Sequence, residues 1–319
     1  MTESYQPKHF KLPTGGVVEK TYSEEPYVFN ESIAIALDVA LATNRPLLVS
    51  GNPGCGKSRL ADAIASVQGW SFLSKTMTSR TRLESLTADV DQLRRLNDAQ
   101  VRSEGAPLKP DACYLNPGLF WWAFQPDTAK LRGMGLNDAV KYKVQLPYPG
   151  HEGKVSSHAV LLIDEIDKAE PDLPNDLLEP LDRQRFNLPD GFRVGDNTYI
   201  ELSEGIQLLT IITTNGEREL PQAFLRRCVI LRIPDPEPNE MEKIALKHFP
   251  KGDKTRIKAI AARFPAFRNE AESSNRRPPG ISEFLDAIRA CENCGIEVSD
   301  KEDSVWKKIE NAVLVKGKT

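Results

Sequence analysis

Gly51-Asn52-Pro53-Gly54-Cys55-Gly56-Lys57-Ser58 decides how this chain is read, because it fits the pattern G-x-x-x-x-G-K-[ST] at every fixed position. Leu47-Leu48-Val49-Ser50 precedes it as a short buried strand, and Leu60, Ala61, Ile64 and Val67 follow at helical spacing. Strand, glycine-rich loop and helix form the setting in which backbone N–H groups can cradle phosphate oxygens. The new helix adds about half a positive charge at its N-terminus. The spacing therefore predicts a nucleoside triphosphate site built from Gly51 through Arg59. Lys57 is placed to reach the β- and γ-phosphates, and the Ser58 hydroxyl to ligate Mg²⁺.

A second apolar run, Ala159-Val160-Leu161-Leu162-Ile163, has the unbroken hydrophobicity of a strand buried on both faces of a parallel sheet, and it ends in Asp164-Glu165. Ligands of open α/β sheets bind at the carboxyl ends of the strands, so these two carboxylates belong beside the phosphate loop. Asp164 is read as a Mg²⁺ ligand and Glu165 as the group that orients or activates the attacking water. A third run, Leu208-Leu209-Thr210-Ile211-Ile212-Thr213-Thr214, ends in Asn215, whose amide can stand near that water. Val229 to Ile233 reads as the last strand, directly after Arg226-Arg227. Trp70 to Thr76 supplies one more strand, and Arg185 to Gly191 leads through Asn197 into Thr198-Tyr199-Ile200-Glu201-Leu202, alternating as hairpin strands do.

Upstream, Asn30 reads as the N-cap of a helix carrying Ile33, Leu37, Ala40 and Leu41. Tyr27-Val28-Phe29 lies just ahead of it, either packing on the nucleotide base through Val28 or stapling that helix. Ser79 to about Asp111 reads as a polar insertion with a helical piece, and Gly133 to Ser157 as loop. Leu119-Phe120-Trp121-Trp122-Ala123-Phe124 is the densest aromatic stretch, read as a core helix with an exposed partner-binding patch as the alternative. Beyond Pro234 the strand pattern stops and four helical segments follow, at 241–248, 256–264, 281–290 and 305–315.

The predicted organisation is an extended arm over 1–25, an α/β nucleotide-binding domain over 26–234 with a parallel sheet flanked by helices, and an all-α lid over 235–319. With 40% hydrophobic and 27% charged residues the chain has the composition of a globular protein and not of a disordered one. A net charge of −3 gives no global attraction to nucleic acid, although Lys251, Lys254, Arg256, Lys258, Arg263, Arg268, Arg276 and Arg277 gather late in the chain. Five scattered cysteines make no disulfide framework, and Cys291-x-x-Cys294 has no second pair in metal-site spacing. With no apolar run long enough to span a bilayer and no leader pattern at the start, a cytoplasmic location is expected.

The order of these motifs resembles an AAA+ ATPase from Tyr27 onward. Leu162-Ile163-Asp164-Glu165-Ile166-Asp167-Lys168-Ala169, with Asn116-Pro117-Gly118-Leu119-Phe120 upstream, looks most like the MoxR group. That resemblance implies a P-loop core with a helical lid, ATP and Mg²⁺ as ligands, and a homo-oligomeric ring, most often of six. It further implies a chaperone-like action on a client or adaptor protein, in some cases one with a von Willebrand A domain. By position, Asn215 is similar to the first sensor residue, and Arg227, with Arg226 beside it, to the arginine finger. A second sensor arginine is expected where Pro278-Pro279-Gly280-Ile281-Ser282-Glu283 stands, leaving Arg276 or Arg277 as substitutes from just upstream. A motor of a nucleic-acid-directed system and a nucleotide-dependent scaffold with little turnover stand as the alternative readings.

Overall fold

The computed structural model describes residues 5–101, 109–150, 156–274, 277–299, 301 and 304–315. Five of the apolar runs form one parallel sheet: β1 (Leu47–Ser50), β2 (Ser71–Thr76), β3 (Ala159–Asp164), β4 (Leu208–Thr214) and β5 (Val229–Arg232), in the order β5-β1-β4-β3-β2. Side chains alternate between faces along each strand, and here both faces are covered. Val160, Leu162, Leu209 and Ile211 pack with α1 (Glu31–Thr43) and α2 (Lys57–Gln68) on one side. Leu161, Ile163 and Ile212 pack on the other side against α3 (Leu119–Phe124), whose Phe120, Trp121, Trp122 and Phe124 are all buried. The aromatic stretch is therefore core. The exposed-patch alternative is overturned, because burying rings of this size removes far more apolar surface from water than any other run in the chain.

Parallel pairing aligns the strand ends. Thr214 lies opposite Ser50, and Ile212 opposite Ile163, so the turns after β1, β3 and β4 emerge at one edge of the sheet. The insertion between β2 and β3 leaves from the same edge, with Thr76 opposite Asp164; within it Ala88–Val90 pairs antiparallel with Leu115–Pro117, and the helix Gln92–Val101 buries no side chain. The segment read as loop from Gly133 contains a short helix, Leu136–Lys141. Its two large apolar residues, Leu136 and Val140, point outward and only Ala139 faces in, so no helical stripe marked it.

After β5 the chain is helical: α4 (Pro238–His248), α5 (Lys254–Ser273), α6 (Ile281–Cys294), then Val305–Ile309 passing into a wider turn to Val315. Met241, Ile257, Phe264, Phe284, Ile288 and Trp306 form their common core. The helix expected to stop at Phe264 runs nine residues further, through Pro265. A proline inside a helix costs about 3 kcal/mol, and the burial of Phe264, Phe267 and Ala271 around it offsets that. Among the described residues no helix is long and apolar enough to cross a membrane.

The N-terminal segment is extended but pinned. Val17–Val18 pairs antiparallel with Tyr27–Val28, and Phe10 is buried. The buried Asp38 carboxylate on α1 accepts the Tyr5 hydroxyl at 2.7 Å and the N–H groups of His9 and Phe10. Burial opposes its ionisation, but the hydrogen bonds from Lys8, Tyr5, His9 and Phe10 prevail and hold the carboxyl well below the usual carboxylate range. A group depressed in the folded state stabilises it above the unfolded value near 4, and that contribution is lost as pH falls below it. Asp38→Asn is expected to destabilise the protein by about 1–3 kcal/mol at pH 7. The difference in thermal midpoint from wild type should narrow as pH drops below about 4, whereas a constant difference from pH 7 to 3 would remove Asp38 as the clasp.

Candidate nucleotide-binding and hydrolysis site

The loop between β1 and α2 owes its shape to glycine. Gly56 caps α2 at φ 92°, a left-handed conformation that costs a β-carbon-bearing residue about 1–2 kcal/mol. Lys57, the first residue of α2, is folded back over the loop, where its Nζ donates to the carbonyls of Gly51 at 2.7 Å and Asn52 at 3.1 Å. Pro53, Gly54, Gly56, Lys57, Ser58 and Arg59 line one side of a cavity of about 330 Å³. Asp164, Glu165, Thr213 and Asn215 line the other. The phosphate loop and the two strand ends, more than a hundred residues apart in sequence, thus share one cleft at the carboxyl edge of the sheet.

Their side chains are linked in a chain of hydrogen bonds. Ser58 Oγ donates to Asp164 Oδ1 at 2.8 Å, and Thr213 Oγ1 donates to the same oxygen at 2.6 Å. Thr213 Oγ1 also accepts the Glu165 N–H at 2.8 Å. Asn215 Nδ2 donates to Glu165 Oε1 at 3.2 Å, and Lys168 Nζ pairs with Glu165 Oε2 at 2.8 Å. Glu165 itself sits at φ 59°, ψ 53°, an uncommon conformation for a residue with a side chain, fixed by the Thr213 bond. Asp167, buried behind it, accepts the N–H groups of Asn215 and Glu217 and so holds the turn after β4. Thr213, Asp167 and Lys168 were not singled out from sequence, although Asp167 and Lys168 stand two and three places beyond Glu165. The pairing of β3 with β4 shows what Thr213 and Asp167 touch, and the turn after β3 what Lys168 touches.

The donor set suits Mg²⁺. This ion takes hard oxygen ligands, uses one or two protein groups, and completes its octahedron with water and phosphate oxygens. Ser58 Oγ and Asp164 Oδ1, already within 2.8 Å of each other, are the two groups that would hold it. Bound there, it would draw charge from the phosphate oxygens.

The lid closes one wall. Gly280 packs against the loop so closely that a β-carbon on it would lie 2.7 Å from the Pro53 carbonyl oxygen. At the N-terminus of α6, the Ser282 N–H donates to Gly54 O at 3.3 Å. Asp235, at the exit from the sheet, accepts from Asn52 Nδ2 at 2.7 Å and pairs with Arg268 of α5 at 2.8 Å. Arg268 Nε in turn donates to the Pro279 carbonyl. Loop, hinge and lid are tied through one carboxylate. Arg277 lines the cleft beside Ser282, with its guanidinium 3.8 Å from Glu283, while Arg276 lies outside the described residues.

Of the expected loop residues, Gly51, Asn52 and Cys55 do not line the cleft, Cys55 being buried in the core, and Val28, Arg226 and Arg227 stand elsewhere. Val28 is half-buried in its two-stranded ribbon, paired with Val17, and does not line the cleft. Its neighbour Tyr27 comes closer, with a ring carbon 3.7 Å from where a β-carbon on Gly56 would be. Arg226 and Arg227 lie before β5, and Val229 at its start is level with Leu47 at the start of β1. They are at the opposite edge of the sheet from the phosphate loop, a strand length of roughly 10 Å away or more. Arg227 pairs with Asp182 and donates to the Ala223 carbonyl. The Arg226 side chain is exposed and has no hydrogen bond or ion pair among the described residues, while its carbonyl accepts from Arg45 at 2.9 Å.

No curated protein matches the chain significantly. The family model for the AAA domain of the dynein-related subfamily matches residues 46–228, more than half of the chain, and spans both the phosphate loop and the Asp164-Glu165 and Asn215 strand ends. With this match laid over a β5-β1-β4-β3-β2 parallel sheet and a nucleotide cleft at its carboxyl edge, the chain belongs to the AAA domain family.

Proposed function

We propose that this protein is a Mg²⁺-dependent ATPase of the MoxR-like kind, working as a homo-oligomeric ring, of six in the simplest case, that remodels a partner protein. The observation that carries the catalytic half is the convergence of Lys57, Ser58, Asp164, Glu165 and Asn215 on one cleft of about 330 Å³. In that cleft Lys57 and the loop N–H groups hold the phosphates, Ser58 and Asp164 hold the ion, and Glu165 takes the proton of the attacking water with Asn215 fixing its carboxylate. Residues 26–234 form the catalytic unit, 235–319 the lid that reads the loop through Asp235 and Ser282, and 1–25 an arm clasped to the first helix.

The assembly half rests on Arg226 and Arg227. Placed a strand length from their own phosphate loop, they suit a neighbour's site better than their own, and a head-to-tail contact of that type closes into a ring. The client is a protein, by the MoxR-like wording around Asp164-Glu165, with a von Willebrand A domain adaptor as one form it takes. Nucleic acid is disfavoured: of the late basic cluster, Arg256 is bonded to Glu292 at 3.0 Å and Arg268 to Asp235.

Calorimetric titration with MgATP tests the catalytic half at its first step. The wild-type protein is expected to bind. Lys57→Ala, which removes a cation's hydrogen bonds to phosphate, is expected to weaken binding by about a hundredfold with the fold intact by circular dichroism. Equal affinity of the two proteins would remove the loop as the phosphate site.

A further inference from the structure

Glu165 and Lys168 open and close a single 3₁₀ turn, Ile166–Lys168, that follows β3. The turn folds the chain back on itself, so that Lys168, three residues on, meets the Glu165 side chain. The Lys168 N–H donates to the Glu165 carbonyl at 3.0 Å, and its Nζ reaches Glu165 Oε2 at 2.8 Å. Inside the turn, Ile166 is buried in the sheet core and Asp167 is bonded to the turn after β4, so the turn cannot swing freely. Asn215 holds the other carboxylate oxygen at 3.2 Å. A carboxylate has about four lone-pair sites, so two donors fix its plane and leave sites open to a water.

We propose that Lys168 is a positioning residue for Glu165: with Asn215 it clamps the carboxylate at both oxygens and sets the direction in which it accepts the proton of the attacking water. The proposal rests on the hydrolase reading above. Lys168 is half-exposed and Glu165 is its one ion-pair partner among the described residues. Exposed pairs of this spacing contribute little to stability, so the clamp is a matter of geometry and not of folding. It also has a second neighbour. Lys168 and Asp167, with Thr78, Glu217 and Arg218, line a cavity of about 420 Å³ whose lining includes no residue of the phosphate loop.

The test is steady-state ATP hydrolysis and calorimetric nucleotide binding by wild type, Lys168→Met, Lys168→Arg, and Lys168→Met in the Glu165→Gln background. Methionine keeps the length without the charge. Lys168→Met is expected to lower kcat by about tenfold with KM and nucleotide Kd within twofold and the thermal midpoint unchanged, the signature of lost orientation and not of lost binding. Lys168→Arg, which keeps the cation, should recover most of the rate. In the Glu165→Gln background the substitution should have no further effect on residual turnover, because the group it positions is gone. Unchanged kcat in Lys168→Met, equal losses in Met and Arg variants, or a full tenfold further loss on top of Glu165→Gln would each overturn the clamp while leaving the hydrolase reading standing. Absence of turnover in the wild type would overturn both.

Discussion

Glu165→Gln is expected to bind ATP with near wild-type affinity and to lose about 10³-fold in turnover. The loss follows from what the amide can no longer do. General-base assistance contributes about 10²–10⁴-fold, and an amide of the same size has no basic oxygen for the water proton. Binding survives because Glu165 is not among the groups that meet the phosphates: Lys57, Ser58 and the loop N–H groups lie across the cleft, and Asp164 keeps its bonds to Ser58 and Thr213. The backbone is expected to hold too, since the left-handed conformation at Glu165 is fixed by its N–H bond to Thr213 and not by its carboxylate. Asp164→Ala is a different lesion, removing an ion ligand, and should raise the Mg²⁺ needed for binding where Glu165→Gln does not.

Removing both Arg226 and Arg227 is expected to lower turnover by about 10³-fold without touching nucleotide affinity, the effect of losing an arginine that stabilises phosphoryl charge from a neighbouring chain. In the proposed ring a neighbour's site is the route by which they would act. Both precede β5, at the edge of the sheet remote from their own loop, and Arg227 is held in place by Asp182 and the Ala223 carbonyl while Arg226 projects outward. Wild-type turnover per chain should rise with protein concentration as sites form between chains. Chains with Arg226→Ala and Arg227→Ala, mixed with Lys57→Ala chains, should recover part of the activity that neither has alone, because a mixed junction pairs an intact loop with intact arginines. Rates per chain independent of concentration, with no recovery on mixing, would make the arginine pair a surface feature of a monomer.

How much of this was legible beforehand depended on whether a signal was local. The phosphate loop, β3 with Asp164-Glu165, and β4 with Asn215 are contiguous stretches in which unbroken hydrophobicity forces a buried strand, and a parallel sheet then brings their carboxyl ends together. The N-cap at Asn30 is local too, its side chain accepting the Ile33 N–H at 2.9 Å. Groups whose role comes from tertiary pairing were invisible. Thr213 looks like any strand threonine until β4 lies beside β3 and its hydroxyl bridges Asp164 to the Glu165 backbone. Asp235 reads as part of a proline-rich linker, yet it joins Asn52 of the loop to Arg268 of the lid. The helix past Pro265 was missed because a local breaking signal was outweighed by burial that only the packed lid supplies. Val28 was placed near the base on chain position alone, and its ribbon instead brings Tyr27 up to Gly56.

The decisive measurement is phosphate release from MgATP by the wild-type and Glu165→Gln chains side by side, with bound nucleotide counted in the same samples. A hydrolysis site built from Lys57, Ser58, Asp164, Glu165 and Asn215 requires sustained release by the wild type. It requires from the variant about one ATP held per chain and release lower by about 10³-fold. Equal release by both chains, or none by either, would contradict it.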